Sequence, residues 1–151
     1  MLFRSSIDLN WDPCWGRASG EEIRSRKQAV REVLPWVTLA HGNVRELMEF
    51  ADATDITTAL KCLADWGIKS IVVHLGAKGA GYYTSGSLLT EPPAPAQSLV
   101  HTTGTGDALS VCMMLLHGRA EIPVGERLKL ANLIVAQFME GKRTLIPPLA
   151  D

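Results

Sequence analysis

The chain has 151 residues, of which 46% are hydrophobic and 21% charged, a globular mixture large enough to bury a core and neither disordered nor fibrous. A net charge of −1 argues against nucleic acid or an anionic membrane surface as the main partner. Three cysteines (Cys14, Cys62, Cys112) stand far apart without a CxxC pair, and no apolar run reaches signal-peptide or membrane-span length, so the expectation is a soluble, cytoplasmic chain with neither a disulfide framework nor a zinc knuckle.

In chain order, Leu2 to Asn10 reads as a short strand and Asp8 to Pro13 as the turn that ends it. Ser19 with Glu22 fits a capping box opening a helix whose apolar residues (Ile23, Ala29, Val30, Val33) recur at helical spacing before Pro35. Trp36 to Ala40 reads as a buried strand ended by His41-Gly42, and Asn43 to Phe50 as a helix with Asn43 at its cap. A further helix spans about Ile56 to Trp66 with Gly67 as its stop, and Ser70 to Leu75 is the clearest strand, rich in β-branched residues.

Gly76 to Gly81 is a glycine-rich turn, followed by a hairpin centred on Ser85-Gly86 and an irregular proline-rich connector from Glu91 to Gln97. After a break at Glu121-Ile122-Pro123, Val124 to Glu140 is the last helix, and Ile146 to Leu149 reads as coil. Strands alternating with helices predict one α/β domain over 1–151, with a largely parallel sheet covered by helices on both faces. Ligands of such sheets sit beyond the carboxyl ends of the strands, where the Gly42, Gly76 and Gly104 turns all fall.

The stretch that carries chemistry is Val100 to Leu115. Gly104 and Gly106 flank Thr105 and precede Asp107 and an apolar helix, so backbone amides can converge at the positive end of a helix dipole and hold an anion. Asp107 stands at the mouth, where a carboxylate can take a proton from a hydroxyl; its plainer reading is a helix cap.

Taken together, these turns resemble the C-terminal half of the PfkB family of carbohydrate kinases, a three-layer ribokinase-like (Rossmann-like) fold, from about Asp8 to Leu145. Thr102-Thr103-Gly104-Thr105-Gly106-Asp107 is similar to the family signature D-T-x-G-A-G-D. The resemblance implies that Gly104, Thr105 and Gly106 form the anion hole for the transferred phosphoryl group and that Asp107 is the base. Asn43 and Glu46 match its N-x-x-E motif, which places Mg2+ through water. By the same resemblance Gly76, Lys78, Gly79, Thr103 and Asn132 would contact the ATP or ADP nucleotide. Read without it, Asn43 is a cap, Glu46 an exposed helix acid, Lys78 a solvated turn residue and Asn132 a polar helix residue. No Walker A or protein-kinase loop is present, so phosphate binding falls to the Gly104–Gly106 turn.

Some residues depart from the pattern. The family's front half, with the lid and the residues that grip the sugar, is not matched. His101 stands where the signature has the Asp that helps bind a monovalent cation, which counts against potassium activation; a packed or solvent-facing imidazole is the plainer reading. Asp12 stands where the arginine of D-x-N-x-R is expected, and Thr105 is tolerable only with its side chain turned from the phosphate. An unmatched front half would also leave an apolar central strand as an edge, so a homodimer is expected. The functional expectation is a sugar or nucleoside kinase, or its catalytic half, acting on a small hydroxyl-bearing substrate. The alternatives are a non-catalytic nucleotide- or anion-binding remnant and a purely structural module.

Overall fold

A computed structural model of the chain describes residues 5–10 and 18–142. The expected start of the first strand (Leu2 to Arg4), Asp12, Pro13, Cys14 and the coil at Ile146 to Leu149 lie outside them. Five strands form one sheet in the order β1-β2-β3-β4-β5: β1 Ser6–Asp8, β2 Leu39–Asn43, β3 Ser70–His74, β4 Ala80–Thr84 and β5 Ser87–Glu91. The helices are α1 Gly20–Val33, α2 Val44–Ala51, α3 Ile56–Asp65, α4 Thr105–His117 and α5 Val124–Met139.

β1 and β2 are parallel, with Ser6 opposite Leu39, Ile7 opposite Ala40 and Asp8 opposite His41. β4 follows β3 after Leu75–Gly79, and β5 follows β4 after Ser85-Gly86, connections too short for a parallel crossover. The sheet is therefore mixed, parallel at its start and a meander at its end. Ser85 and Gly86 both have positive φ (50° and 79°), which suits the two-residue hairpin the sequence predicts. At the ends of the strand order stand β1, with Ser6 and Asp8 exposed, and β5, exposed at Ser87, Leu89 and Thr90. Neither is the bare apolar edge from which the sequence reading argues a dimer.

The residues form two compact units, one running to Val73 and including Tyr83–Leu88, the other comprising His74–Tyr82 and the chain from Leu89. In the first, α1 opens with the predicted capping box: the Ser19 hydroxyl accepts from the Glu22 amide at 3.2 Å and Glu22 Oε2 from the Ser19 amide at 2.6 Å. Pro35 ends α1, but a strand does not begin there. Leu34–Trp36 is a 3-10 turn with Leu34 buried and Trp36 81% exposed, so β2 starts at Leu39 and takes in His41 and Gly42. The buried His41 ring meets polar groups inside the ladder, with Nε2 2.5 Å from Ser6 Oγ and Nδ1 3.6 Å from Asp8 Oδ2. Gly67 (φ 103°) stops the chain after α3, where a side chain would run into Pro35. Leu39, Leu47, Phe50, Leu60, Leu63, Ile71 and Val72 form this unit's core.

The second unit is built on α4 and α5, packed through Leu109, Met113, Leu128, Ala131 and Ala136. Arg127 of α5 is buried and donates from one guanidinium nitrogen to the Leu116 and His117 carbonyls, 3.5 Å away in each case, at the carboxyl end of α4. The Tyr82 hydroxyl lies 3.0 Å from His117 Nδ1. No helix among the described residues is long and apolar enough to cross a membrane.

Candidate functional site

Gly104, not Asp107, occupies the cap of α4. It holds a left-handed conformation (φ 85°, ψ 3°) that a side chain would strain, and no side chain caps the turn. The first helical bond runs from the Ala108 amide to the Gly104 carbonyl at 2.9 Å, so the amides of Thr105, Gly106 and Asp107 precede the helical ladder. These are donors at the positive end of a 13-residue helix, the arrangement that suits an anion.

The Thr105 hydroxyl donates to the Thr102 carbonyl at 3.1 Å. Asp107 is exposed, in the first turn of the helix, with Oδ2 3.9 Å from where a Gly104 side chain would begin. The carboxylate thus lies over the turn without capping it. Beside it, a cavity of about 440 Å³ opens between α4 and α5, with Gly104 and Asp107 at one end and Val111, Leu115, Ile134 and Phe138 along its walls. Cys112 also lines it, and burial pushes that thiol above its ordinary value. Thr103 and His101 are exposed, and the His101 ring lies 6.0 Å from that of Phe138.

The Gly76–Gly79 turn belongs to the same unit. Gly76 (φ 59°) and the exposed Lys78 lie in a one-turn 3-10 helix closed by the bond from the Gly79 amide to the Gly76 carbonyl at 3.0 Å. A side chain on Gly79 (φ 95°) would begin 2.2 Å from the Glu91 carbonyl oxygen and 2.7 Å from Pro92. The buried Asn132 of α5 donates to both carbonyls of that segment, Glu91 at 3.2 Å and Pro92 at 2.8 Å. Gly79 and Asn132, 53 residues apart in the sequence, therefore touch one stretch of connector.

His74, which the sequence reading passes over inside its SIVVHL strand, joins the two glycine turns. It ends β3 two residues before Gly76, its Nε2 shares a hydrogen bond of 3.1 Å with Ser110 Oγ of α4, and its Nδ1 stands 3.0 Å from where a Gly106 side chain would begin. The signal was present only as a polar residue at the end of an apolar strand.

Asn43 and Glu46 lie in the first unit, at the start of α2, and form a complete capping box. Asn43 Oδ1 and Glu46 Oε2 are both engaged there, which leaves the second carboxylate oxygen of a half-buried Glu46. Among the described residues no cluster of three or more His, Cys, Asp or Glu could hold a metal directly. One free carboxylate oxygen fits a magnesium ion that keeps its waters and is held through them.

With this geometry, the comparisons with known proteins are specific. A family model described as pfkB family carbohydrate kinase matches residues 6–119, and the chain belongs to that family. Over 92 residues it is 34% identical to the cytidine kinase of Thermococcus kodakarensis, a match covering 60% of this chain and 33% of that protein. Its fold matches that of the aminoimidazole riboside kinase of Salmonella enterica, solved with aminoimidazole riboside and an ATP analog, with a TM-score of 0.72 and 22% identity across 94% of this chain and 48% of that one. The fructokinase of Vibrio cholerae O395, solved with fructose, ADP and calcium ion, gives a TM-score of 0.71 and 24% identity across 93% and 46%. The fold is ribokinase-like, and the chain spans between a third and a half of the length of these relatives.

Proposed function

We propose that this chain is the phosphate-side part of a sugar or nucleoside kinase, with Asp107 as the base and the Thr105–Asp107 amides as the anion hole. The observation that carries this is the opening of α4, where amides without a capping side chain stand beside an exposed carboxylate. Phosphoryl transfer asks a protein mainly for positioning and charge stabilisation, which backbone donors and one base provide. The nucleotide would supply the phosphoryl group, and Mg2+ would neutralise its phosphate charge.

On the protein's side, Asp107 accepts the proton of the acceptor hydroxyl at its carboxylate, and the amides hold the charge that develops on the phosphoryl oxygens. The Gly76–Gly79 turn, with Lys78 and Thr103, borders the nucleotide. Asn132 supports it through the connector it ties down, and Glu46 with Asn43 would hold a hydrated magnesium ion. Solved relatives carry an ATP analog in one case and ADP with calcium in another, which supports a nucleotide and a divalent cation here. A cytoplasmic location belongs to the same proposal; the expected homodimer has no apolar edge strand to argue for it, and light scattering on the purified chain tests it.

A second reading is nucleotide binding by this chain without transfer, because binding an acceptor is what holds its hydroxyl in attack geometry. Calorimetry with ADP and Mg2+, together with ADP release assayed against ribose, fructose and cytidine, separates the two. Under the kinase reading Asp107→Asn binds ADP as the parent does and loses turnover by about 10²–10⁴-fold, the usual contribution of a general base. Turnover unchanged in that variant removes Asp107 from the mechanism, and ADP binding with no turnover in the parent establishes the second reading.

A further inference from the structure

The His74 side chain of β3 packs against the α4 amino-terminal turn. Gly106 lies within the helix, where alanine is ordinarily the best residue and glycine costs stability. Its φ is not positive, so backbone conformation gives no reason for glycine there. The reason is the neighbour: a Cβ at Gly106 would begin 3.0 Å from His74 Nδ1 and 3.4 Å from His74 Cε1. The opposite nitrogen of the same ring is fixed by Ser110, one turn further along α4. A half-buried imidazole thus contacts α4 at two successive turns, by packing at Gly106 and by a hydrogen bond at Ser110.

We infer that His74 is a positioning residue that sets where the Thr105–Asp107 amides stand relative to the Gly76–Gly79 turn, and that Gly106 is glycine to admit its ring. The functional part of this inference rests on the phosphate-binding reading of the turn; the packing part does not. A turn displaced by a fraction of an ångström still folds, but its donors no longer converge on one anion, and geometric losses of this kind are steep. Phosphate affinity is therefore more sensitive to His74 than affinity for the rest of a nucleotide.

The test is a double-mutant cycle on the full chain, with His74→Ala, Gly106→Ala and the pair, read by thermal melting and by calorimetry with ADP and with adenosine, which lacks phosphate. Gly106→Ala alone is expected to lower the melting temperature and weaken ADP by on the order of tenfold, while the pair melts no lower than His74→Ala alone and keeps that variant's loss of ADP affinity, a coupling that only contacting residues show. His74→Ala and the milder Ser110→Ala weaken ADP more than adenosine, and His74→Gln, which can still bond Ser110, restores part of the loss. Additive melting effects overturn the packing of His74 against Gly106. Equal losses for ADP and adenosine overturn the positioning of the amides. If the parent binds no ADP, the phosphate reading of the turn falls and the positioning role with it, and the melting cycle still decides the packing.

Discussion

Asn43 and Glu46 cap one helix reciprocally: Asn43 Oδ1 accepts from the Glu46 amide at 2.9 Å, and Glu46 Oε2 accepts from the Asn43 amide at 2.7 Å. The motif that the family resemblance assigns to magnesium is thus also the device that starts α2, and the two duties can be separated. Glutamine can occupy the third position of a capping box without carrying charge. Glu46→Gln is expected to keep stability within about 0.5 kcal/mol, whereas Glu46→Ala loses about 1 kcal/mol. Both variants should lose the Mg2+-dependent part of ADP binding, measured by calorimetry with and without the metal. A Glu46→Gln protein with unchanged magnesium dependence would leave Glu46 a capping residue alone.

Asn132 and Gly79 fix the Glu91–Pro92 connector from opposite partners, one by two hydrogen bonds and one by close approach. Asn132→Leu leaves the Glu91 and Pro92 carbonyls without that donor, which costs about 1–3 kcal/mol where the acceptors stay buried. Gly79→Ala should be harsher, because its Cβ would overlap the Glu91 oxygen and its φ of 95° excludes most side chains. Urea unfolding of the two variants checks the order of effects. A Gly79→Ala protein as stable as the parent would show that the connector yields easily and is not fixed by that approach.

What could be read from the sequence was local. The Ser19–Glu22 box, the Gly67 stop, the SIVVHL strand and the Ser85-Gly86 hairpin are each specified by residues within a few positions of one another, and each forms where expected. The start of β2 was not legible. Pro35 marked the end of α1, but the 3-10 turn that exposes Trp36 follows from burying Leu34 instead, and His41 joins the strand because Ser6 and Asp8 of a distant strand meet its ring. The cap reading of Asp107 failed because Gly104 could take a left-handed conformation and occupy the cap itself. The link between Gly106 and His74 was invisible because 32 positions separate the two in the sequence, and only the packed turn puts them in contact.

The last prediction concerns acid. Glu22 is held below its ordinary value first by the Ser19 backbone amide and then by the Ser19 hydroxyl, and Asp55 by the Thr58 hydroxyl and then the Thr58 amide. Both are capping carboxylates at helix starts, where the charged form is favoured. A carboxyl whose value is lowered in the folded state stabilises fully above its unfolded value, and the contribution disappears as pH falls through the lower folded one. Melting temperature should therefore hold steady from neutral pH to about 5 and drop below about 4, the ordinary carboxyl range. Glu22→Gln and Asp55→Asn keep capping groups but cannot titrate, so the double variant should show a shallower drop between pH 5 and 2.5. A melting curve against pH that is unchanged in that variant would assign the acid sensitivity to other carboxylates, with Glu121 (lowered by its hydrogen bond from Arg119) and Glu140 (lowered by Lys142) next in line. The Arg119–Glu121 pair is exposed on both sides, so added salt should flatten its share of the acid response, whereas the Glu140 side chain is 9% exposed and less open to screening. The capping share depends on short hydrogen bonds to Ser19 and Thr58, and it should survive that salt.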